Sequence, residues 1–144
     1  MPMKPLYTAI ATAHGGRQGH VKSDDGIIDL DTVTPSGLGG PGGAGTNPEQ
    51  LFAAGYAACF QSAMLYVARL QKLDIGDSTV TGHVSIGQNE GGAGFMLAVR
   101  HAVTIPGLDQ AAAEKLVHDA HQVCPYSNAT RGNIEVAFDV TGGA

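Results

Sequence analysis

Gly37-Leu38-Gly39-Gly40-Pro41-Gly42-Gly43-Ala44-Gly45-Thr46-Asn47-Pro48-Glu49-Gln50-Leu51-Phe52 carries this 144-residue chain from a loop into a helix. Six of the nine residues from Gly37 to Gly45 are glycine, a density that leaves no room for regular structure. Thr46-Asn47-Pro48-Glu49 then reads as a helix start. Asn47 caps, Pro48 suits the first helical position, and Glu49 complements the positive end of the helix dipole. The helix is expected to run to about Lys72. From Leu51 to Ala68 it holds no charged residue, and six of those positions are alanine. Length and neutrality admit a bilayer span, but Gly55, Gln61, Ser62 and the alanines make the segment weakly hydrophobic, so a buried helix is expected, with small residues that let other backbones come close.

On the N-terminal side, Leu6 to Thr32 mixes Thr, Ile, Val and Tyr with glycine punctuation at Gly15-Gly16, Gly19 and Gly26, which reads as a meander of short strands over Tyr7–Ala13 and Ile27–Leu30. On the C-terminal side, Thr79–Gln88 alternates with period two, Phe95–Ile105 follows as a strand of similar length, and Asn89 to Gly94 between them makes the pair a hairpin. Asp109 caps a second helix from Gln110 to about Val123, with Ala113, Leu116, Val117 and Ala120 on one stripe. Asn133–Thr141 closes the chain as a strand. The order is strands, helix, strands, helix, strand, an α+β arrangement in one domain, residues 1–144, and not a βαβ wind.

Only 15% of the residues are charged, against a usual share of about 25%, yet 43% are hydrophobic, so neither a disordered nor a fibrous chain fits. A net charge of -5 with eight Lys and Arg leaves no basic stripe, which excludes nucleic acid as an expected partner. The N-terminus shows no signal-peptide pattern, and the expectation is a soluble, cytoplasmic protein with no membrane partner.

Gly37, Gly39 and Gly42 match a dinucleotide fingerprint literally, but no strand leads directly into them and Glu49 would repel a pyrophosphate at the helix start. His121-Gln122-Val123-Cys124 looks like half a zinc site whose other half is missing, and the remaining histidines are scattered, so no metal is expected. The two cysteines are too few for a disulfide scaffold. Cys59, inside Tyr56-Ala57-Ala58-Cys59-Phe60 on the apolar helix, reads first, taken alone, as an inert core thiol, with a nucleophile as the alternative. Cys124 lies between an amphipathic helix and Pro125, capping a new turn through Pro125-Tyr126-Ser127-Asn128, where a thiol can be activated and presented. A nucleophilic thiol in apolar surroundings needs a nearby cation. Arg17 in its glycine turn is a candidate, and a solvated turn residue is the alternative.

Gly39 to Tyr56 running into Ala58-Cys59-Phe60, together with His121-Gln122-Val123-Cys124-Pro125-Tyr126-Ser127-Asn128-Ala129-Thr130-Arg131-Gly132-Asn133, resembles the organic hydroperoxide resistance proteins of the OsmC-like superfamily. Leu6-Tyr7-Thr8-Ala9, Gly15-Gly16-Arg17 and Pro106-Gly107-Leu108-Asp109 extend the resemblance over nearly the whole chain. It implies antiparallel sheets wrapped around two core helices in an intertwined homodimer. It also implies a thiol-dependent peroxidase for organic hydroperoxides, with Cys59 peroxidatic and Cys124 resolving. Arg17 would activate Cys59 and Glu49 would orient Arg17. The implied reductant is an external dihydrolipoyl dithiol, free or on a lipoylated protein, with no resident cofactor. Departures are the Met1 to Lys4 leader, the Asn89 to Gly94 turn, and Gln61, expected to reshape the pocket. Phe52, Phe60 and Met64 are expected to bury the tail of the substrate. Two other classes use the same residues: a peroxide sensor and an apolar-ligand-binding module. Glu49 and Cys59 are ten residues apart, about 15 Å along a straight helix, so a break at Gly55 or a crossing between subunits is expected, with an extended Arg17 as the other solution.

Overall fold

A computed structural model describes residues 3–143, so Met1 and Pro2 of the leader and the final Ala144 lie outside it. The fold is α+β, with two sheets and three α-helices among the described residues, arranged in two compact units that divide between Pro48 and Glu49.

The first unit is an antiparallel meander of β1 (Ala11–His14), β2 (His20–Ser23) and β3 (Asp29–Asp31). Its strands are shorter than the sequence pattern suggests and begin later, because Tyr7 to Ile10 lie outside the ladder. The β1–β2 turn is tight enough that a Cβ on Gly19 would lie inside the His14 carbonyl, and only glycine fits there. Buried Thr32 fastens this turn: its hydroxyl accepts from the Gly19 N–H and donates to the Gly16 carbonyl, both at 2.8 Å. The glycine-rich loop holds one turn of 3-10 helix, Ser36–Leu38, contrary to the expectation of no regular structure from Gly37 onward, and the rest is irregular. Thr46 returns beside Thr32 as an isolated bridge.

The second unit holds the core. Helix α1 runs unbroken from Pro48 to Leu70 and buries Tyr56, Phe60, Ala63, Met64, Val67 and Ala68, a stripe at helical spacing. Long and apolar enough to span a bilayer by composition, it instead gives this stripe to a protein core, though Leu65, Tyr66 and Leu70 on its other side are exposed, so the helix is half-buried and not enclosed. It stops two residues before Lys72 because Lys72 itself turns left-handed, φ 59°, which lets the Leu73 N–H reach back to the Ala68 carbonyl at 2.8 Å.

Strands β4 (Thr79–Gln88) and β5 (Phe95–Asp109) form the expected hairpin, Gln88 facing Phe95. β5 buries Val99, His101, Val103 and Ile105 in alternation, so one histidine stands in an apolar row. Asp109 caps α2 (Gln110–Val123) as expected, accepting from the Ala112 N–H at 2.8 Å. A short helix α3 (Pro125–Thr130) follows Cys124, and β6 (Val136–Gly143) pairs with β5 in parallel. The second sheet is therefore mixed. The α2–α3 connection is a crossover between parallel strands, which a parallel pair requires and which the order of elements did not disclose.

Candidate active site

Cys59 sits in the middle of α1, half-buried. Cys124 is fully buried at the junction of α2 and α3. The junction fixes the Cys124 backbone from both sides: its N–H closes α2 on the Ala120 carbonyl, its carbonyl accepts from the Asn128 N–H to open α3, and Pro125 takes the first helical position. The geometry brings the two sulfurs together. Both are free thiols, and Cys124 Sγ donates to Cys59 Sγ at 3.5 Å. Burial pushes the Cys59 thiol above its ordinary range. The Tyr126 backbone N–H, which bonds to the sulfur, works against this, and the adjacent Cys124 adds to the rise.

A cleft of about 330 Å³ opens beside Cys59, lined by Cys59, Ser62, Ala63, Tyr66, Val123 and Pro125. These are not the residues expected to bury a substrate tail. Phe60 and Met64 are fully buried in the core cluster, Phe60 with its ring stacked on His101 of β5 and tilted against Phe138 of β6. Phe52 lies against Tyr126, ring centroids 6.0 Å apart, and lines a second, larger cleft of about 710 Å³. Gln61, expected to reshape the pocket, is not among the residues lining this cleft; its amide donates to the Ser78 carbonyl at 2.7 Å, tying α1 to the turn before β4.

Glu49 lies in the first turn of α1, and the expected break at Gly55 is absent. Gly55 is small for another reason. A Cβ there would stand 2.8 Å from the Tyr126 hydroxyl, so the glycine makes room for a ring and does not bend the helix. Cys59 is therefore a full ten residues, about 15 Å, down a straight helix from Glu49. Arg17 lies half-buried in the β1–β2 turn of the first unit.

Sequence reasoning missed a buried polar chain beneath the thiols. Tyr56 Oη meets Ser127 Oγ at 2.8 Å and Thr130 Oγ1 at 3.1 Å, and Ser127 Oγ meets His121 Nδ1 at 2.8 Å. Its one trace in the sequence is spacing, with Tyr56 three residues before Cys59, and His121 and Ser127 three residues either side of Cys124. Among the described residues, no group of three or more His, Cys, Asp or Glu is placed to hold a metal ion.

A family model described as OsmC-like protein matches residues 40–139. The organic hydroperoxide resistance protein of Xanthomonas axonopodis pv. citri is 56% identical over 138 residues, covering 95% of this chain and 96% of that protein. Organic hydroperoxide resistance protein OhrB of Bacillus subtilis is 50% identical over 135 residues, covering 94% and 98%. The crystal structure of an organic hydroperoxide resistance protein from Legionella pneumophila superposes with a TM-score of 0.90 at 55% identity, covering 96% of this chain and 99% of that one. With its fold, its motifs and its close relatives in agreement, the chain belongs to the OsmC-like family, in the branch of the organic hydroperoxide resistance proteins.

Proposed function

We propose that the chain is a thiol-dependent peroxidase that reduces organic hydroperoxides to alcohols. The observation that carries this reading is the pair of free thiols 3.5 Å apart at the edge of an apolar cleft. The relatives named for organic hydroperoxide resistance support the substrate class. The Cys59 thiolate attacks the distal peroxide oxygen, an S–O bond forms as the O–O bond breaks, and the alkoxide leaves as the alcohol after taking a proton. The Cys124 thiol then condenses with the sulfenic acid, releasing water and closing a disulfide. An external dihydrolipoyl dithiol, free or on a lipoylated protein, reopens it by exchange.

In this reading Arg17 holds Cys59 as the thiolate against the effect of burial, and Glu49 orients Arg17. With α1 straight, Glu49 reaches that arginine either through the extended Arg17 side chain or from a second subunit. Residues 1–144 act as one domain of an intertwined homodimer. The exposed apolar side chains Leu65, Tyr66 and Leu70 of α1 and Phe95 and Met96 of β5 support a partner surface. A thiol pair that must be reduced again in every cycle suits the cytoplasm.

The test is peroxide consumption by the purified protein with dihydrolipoamide and an alkyl hydroperoxide. Many turnovers per subunit are expected, and Cys59→Ser should be inactive. Full turnover in Cys59→Ser would overturn the proposal, and a single oxidation with no recycling by any dithiol would favour a sensor.

A further inference from the structure

We infer that Tyr56, Ser127 and His121 are positioning residues for disulfide closure: their hydrogen-bonded chain holds the Cys124 thiol where it can reach oxidised Cys59. The inference rests on the two-cysteine reading above and assigns the control of its second step.

Helix α3 has six residues, fewer than two turns, and no side chain caps its start. A helix that short does not hold itself together in water, so its place depends on tertiary bonds. Its buried face presents Ser127 and Thr130, and both meet the hydroxyl of Tyr56 from α1, while Ser127 also meets the imidazole of His121 from α2. One polar chain thus crosses the three helices that carry or flank the sulfurs. Residues three apart lie on one face of a helix, a turn from each other. Tyr56 stands in that relation to Cys59, and His121 approaches the Cys124 junction from the preceding helix as Ser127 does from the following one.

The chain is satisfied in both proton arrangements. With Nδ1 of His121 accepting, Thr130 donates to Tyr56, Tyr56 to Ser127, and Ser127 to His121. With Nδ1 donating, every hydroxyl turns round and Thr130 ends on the Ser127 carbonyl, 3.3 Å away. No buried hydroxyl is orphaned by either state, so the bracket holds through a change of tautomer or charge on His121. Removing the Tyr56 hydroxyl cuts the bonds that tie α1 to Ser127 and Thr130, and removing the Ser127 hydroxyl cuts the chain on both sides, each at the cost of buried hydrogen bonds.

Closure needs this accuracy. The Cys124 sulfur attacks the sulfenic sulfur of Cys59, the S–S bond forms, the S–O bond breaks, and the oxygen leaves with the Cys124 proton as water. The sulfurs stand 3.5 Å apart and must close to about 2.05 Å, so a short helix that drifts loses the approach. Peroxide attack comes from the sulfur on long α1; the Tyr126 N–H of α3 reaches that sulfur, but the attack does not require the Cys124 sulfur to be in place.

The experiment is a single turnover with tert-butyl hydroperoxide, following sulfenic acid with a trapping dione and disulfide by mass spectrometry. Wild type, Tyr56→Phe, Ser127→Ala and Ser127→Thr are compared, their folding checked by thermal melts. The ratio of disulfide closure to sulfenic acid formation should fall about tenfold in Tyr56→Phe and Ser127→Ala, the rate equivalent of one buried hydrogen bond. Ser127→Thr, which keeps the hydroxyl, should recover most of it. An unchanged ratio in a folded Tyr56→Phe or Ser127→Ala overturns the inference while the peroxidase reading stands. A wild type that forms neither sulfenic acid nor disulfide overturns both.

Discussion

The sulfurs of Cys59 and Cys124, sixty-five residues apart in the chain, stand 3.5 Å from each other, one on α1 and the other on the junction of α2 and α3. Disulfide closure therefore asks for a local approach of about 1.5 Å and no rearrangement of the fold. The separation also leaves each thiol free to act alone, which gives the two substitutions different consequences.

Cys124→Ser should still consume one equivalent of hydroperoxide per subunit and then stop. The Cys59 sulfenic acid has no second sulfur to condense with, and with excess peroxide it should advance to the sulfinic acid. Intact-mass measurement after one and after ten equivalents of peroxide distinguishes the two stages. Sustained dithiol-dependent turnover in this variant would remove Cys124 from the cycle.

Burial holds the Cys59 thiol above its usual range, the Tyr126 N–H offsets part of this, and Cys124 reinforces the rise. Under the proposed mechanism Arg17 supplies the missing stabilisation of the thiolate. Arg17→Ala should move the thiolate titration, read by ultraviolet absorbance in a Cys124→Ser background, to higher pH. It should also slow the oxidation at pH 7 by about tenfold or more. Arg17→Lys keeps the charge but loses the planar fork, and should fall between the two. A titration that does not move in Arg17→Ala would leave the arginine a turn residue.

Much of the site could be read from the chain because its signals are local. Asp109 before Ala112 is a cap, and Cys124 before Pro125 is a helix boundary; both are decided by residues within one turn of each other. What stayed hidden depends on partners far along the chain. Tyr56 meets Ser127 across 71 residues, and nothing in either segment alone calls for the other. Gly55 illustrates the ambiguity of a single residue type, since a hinge and a hole for a neighbour's ring look alike until Tyr126 is seen filling the space. The end of α1 falls two residues before Lys72 and carries no sign in the chain, because Lys72 takes a conformation for which the usual sequence sign is glycine. Phe60 and Met64 look like pocket residues in the chain because apolar residues near a nucleophile suit a pocket or a core equally well, and only the direction of the buried stripe decides.

The same hole at Gly55 gives a prediction about stability. Alanine is favoured over glycine inside a helix by about 1 kcal/mol. Against this, the new methyl would meet the end of the Tyr126 side chain, and Tyr126 is 37% exposed, so its ring can swing outward at small cost. Gly55→Ala should therefore melt no lower than wild type while displacing Tyr126 from its packing on Phe52 and Tyr56. A melt several degrees lower would show that the ring cannot yield.

His101 makes the core sensitive to acid. Its ring is fully buried, stacked on Phe60 at 5.5 Å and edge-on to Tyr56 at 4.3 Å, and neither ring nitrogen has a hydrogen-bond partner among the described residues. Burial, with smaller contributions from His121 and His83, lowers its pKa from 6.5 to about 4. The folded chain thus keeps this ring neutral where the unfolded chain protonates it. The stability it permits is whole above pH 6.5, drains away as the pH falls toward 4, and is constant below that. Over that window the loss is about 3 kcal/mol. Replacing the ring by one that cannot titrate should remove this component of the pH dependence. Urea unfolding of wild type and His101→Phe at pH 7 and at pH 4, at one protein concentration, reads the difference directly. Wild type should lose about 3 kcal/mol more than the variant between the two pH values. Equal losses would mean that His101 is protonated without cost, and hence that its nitrogens find partners in solution.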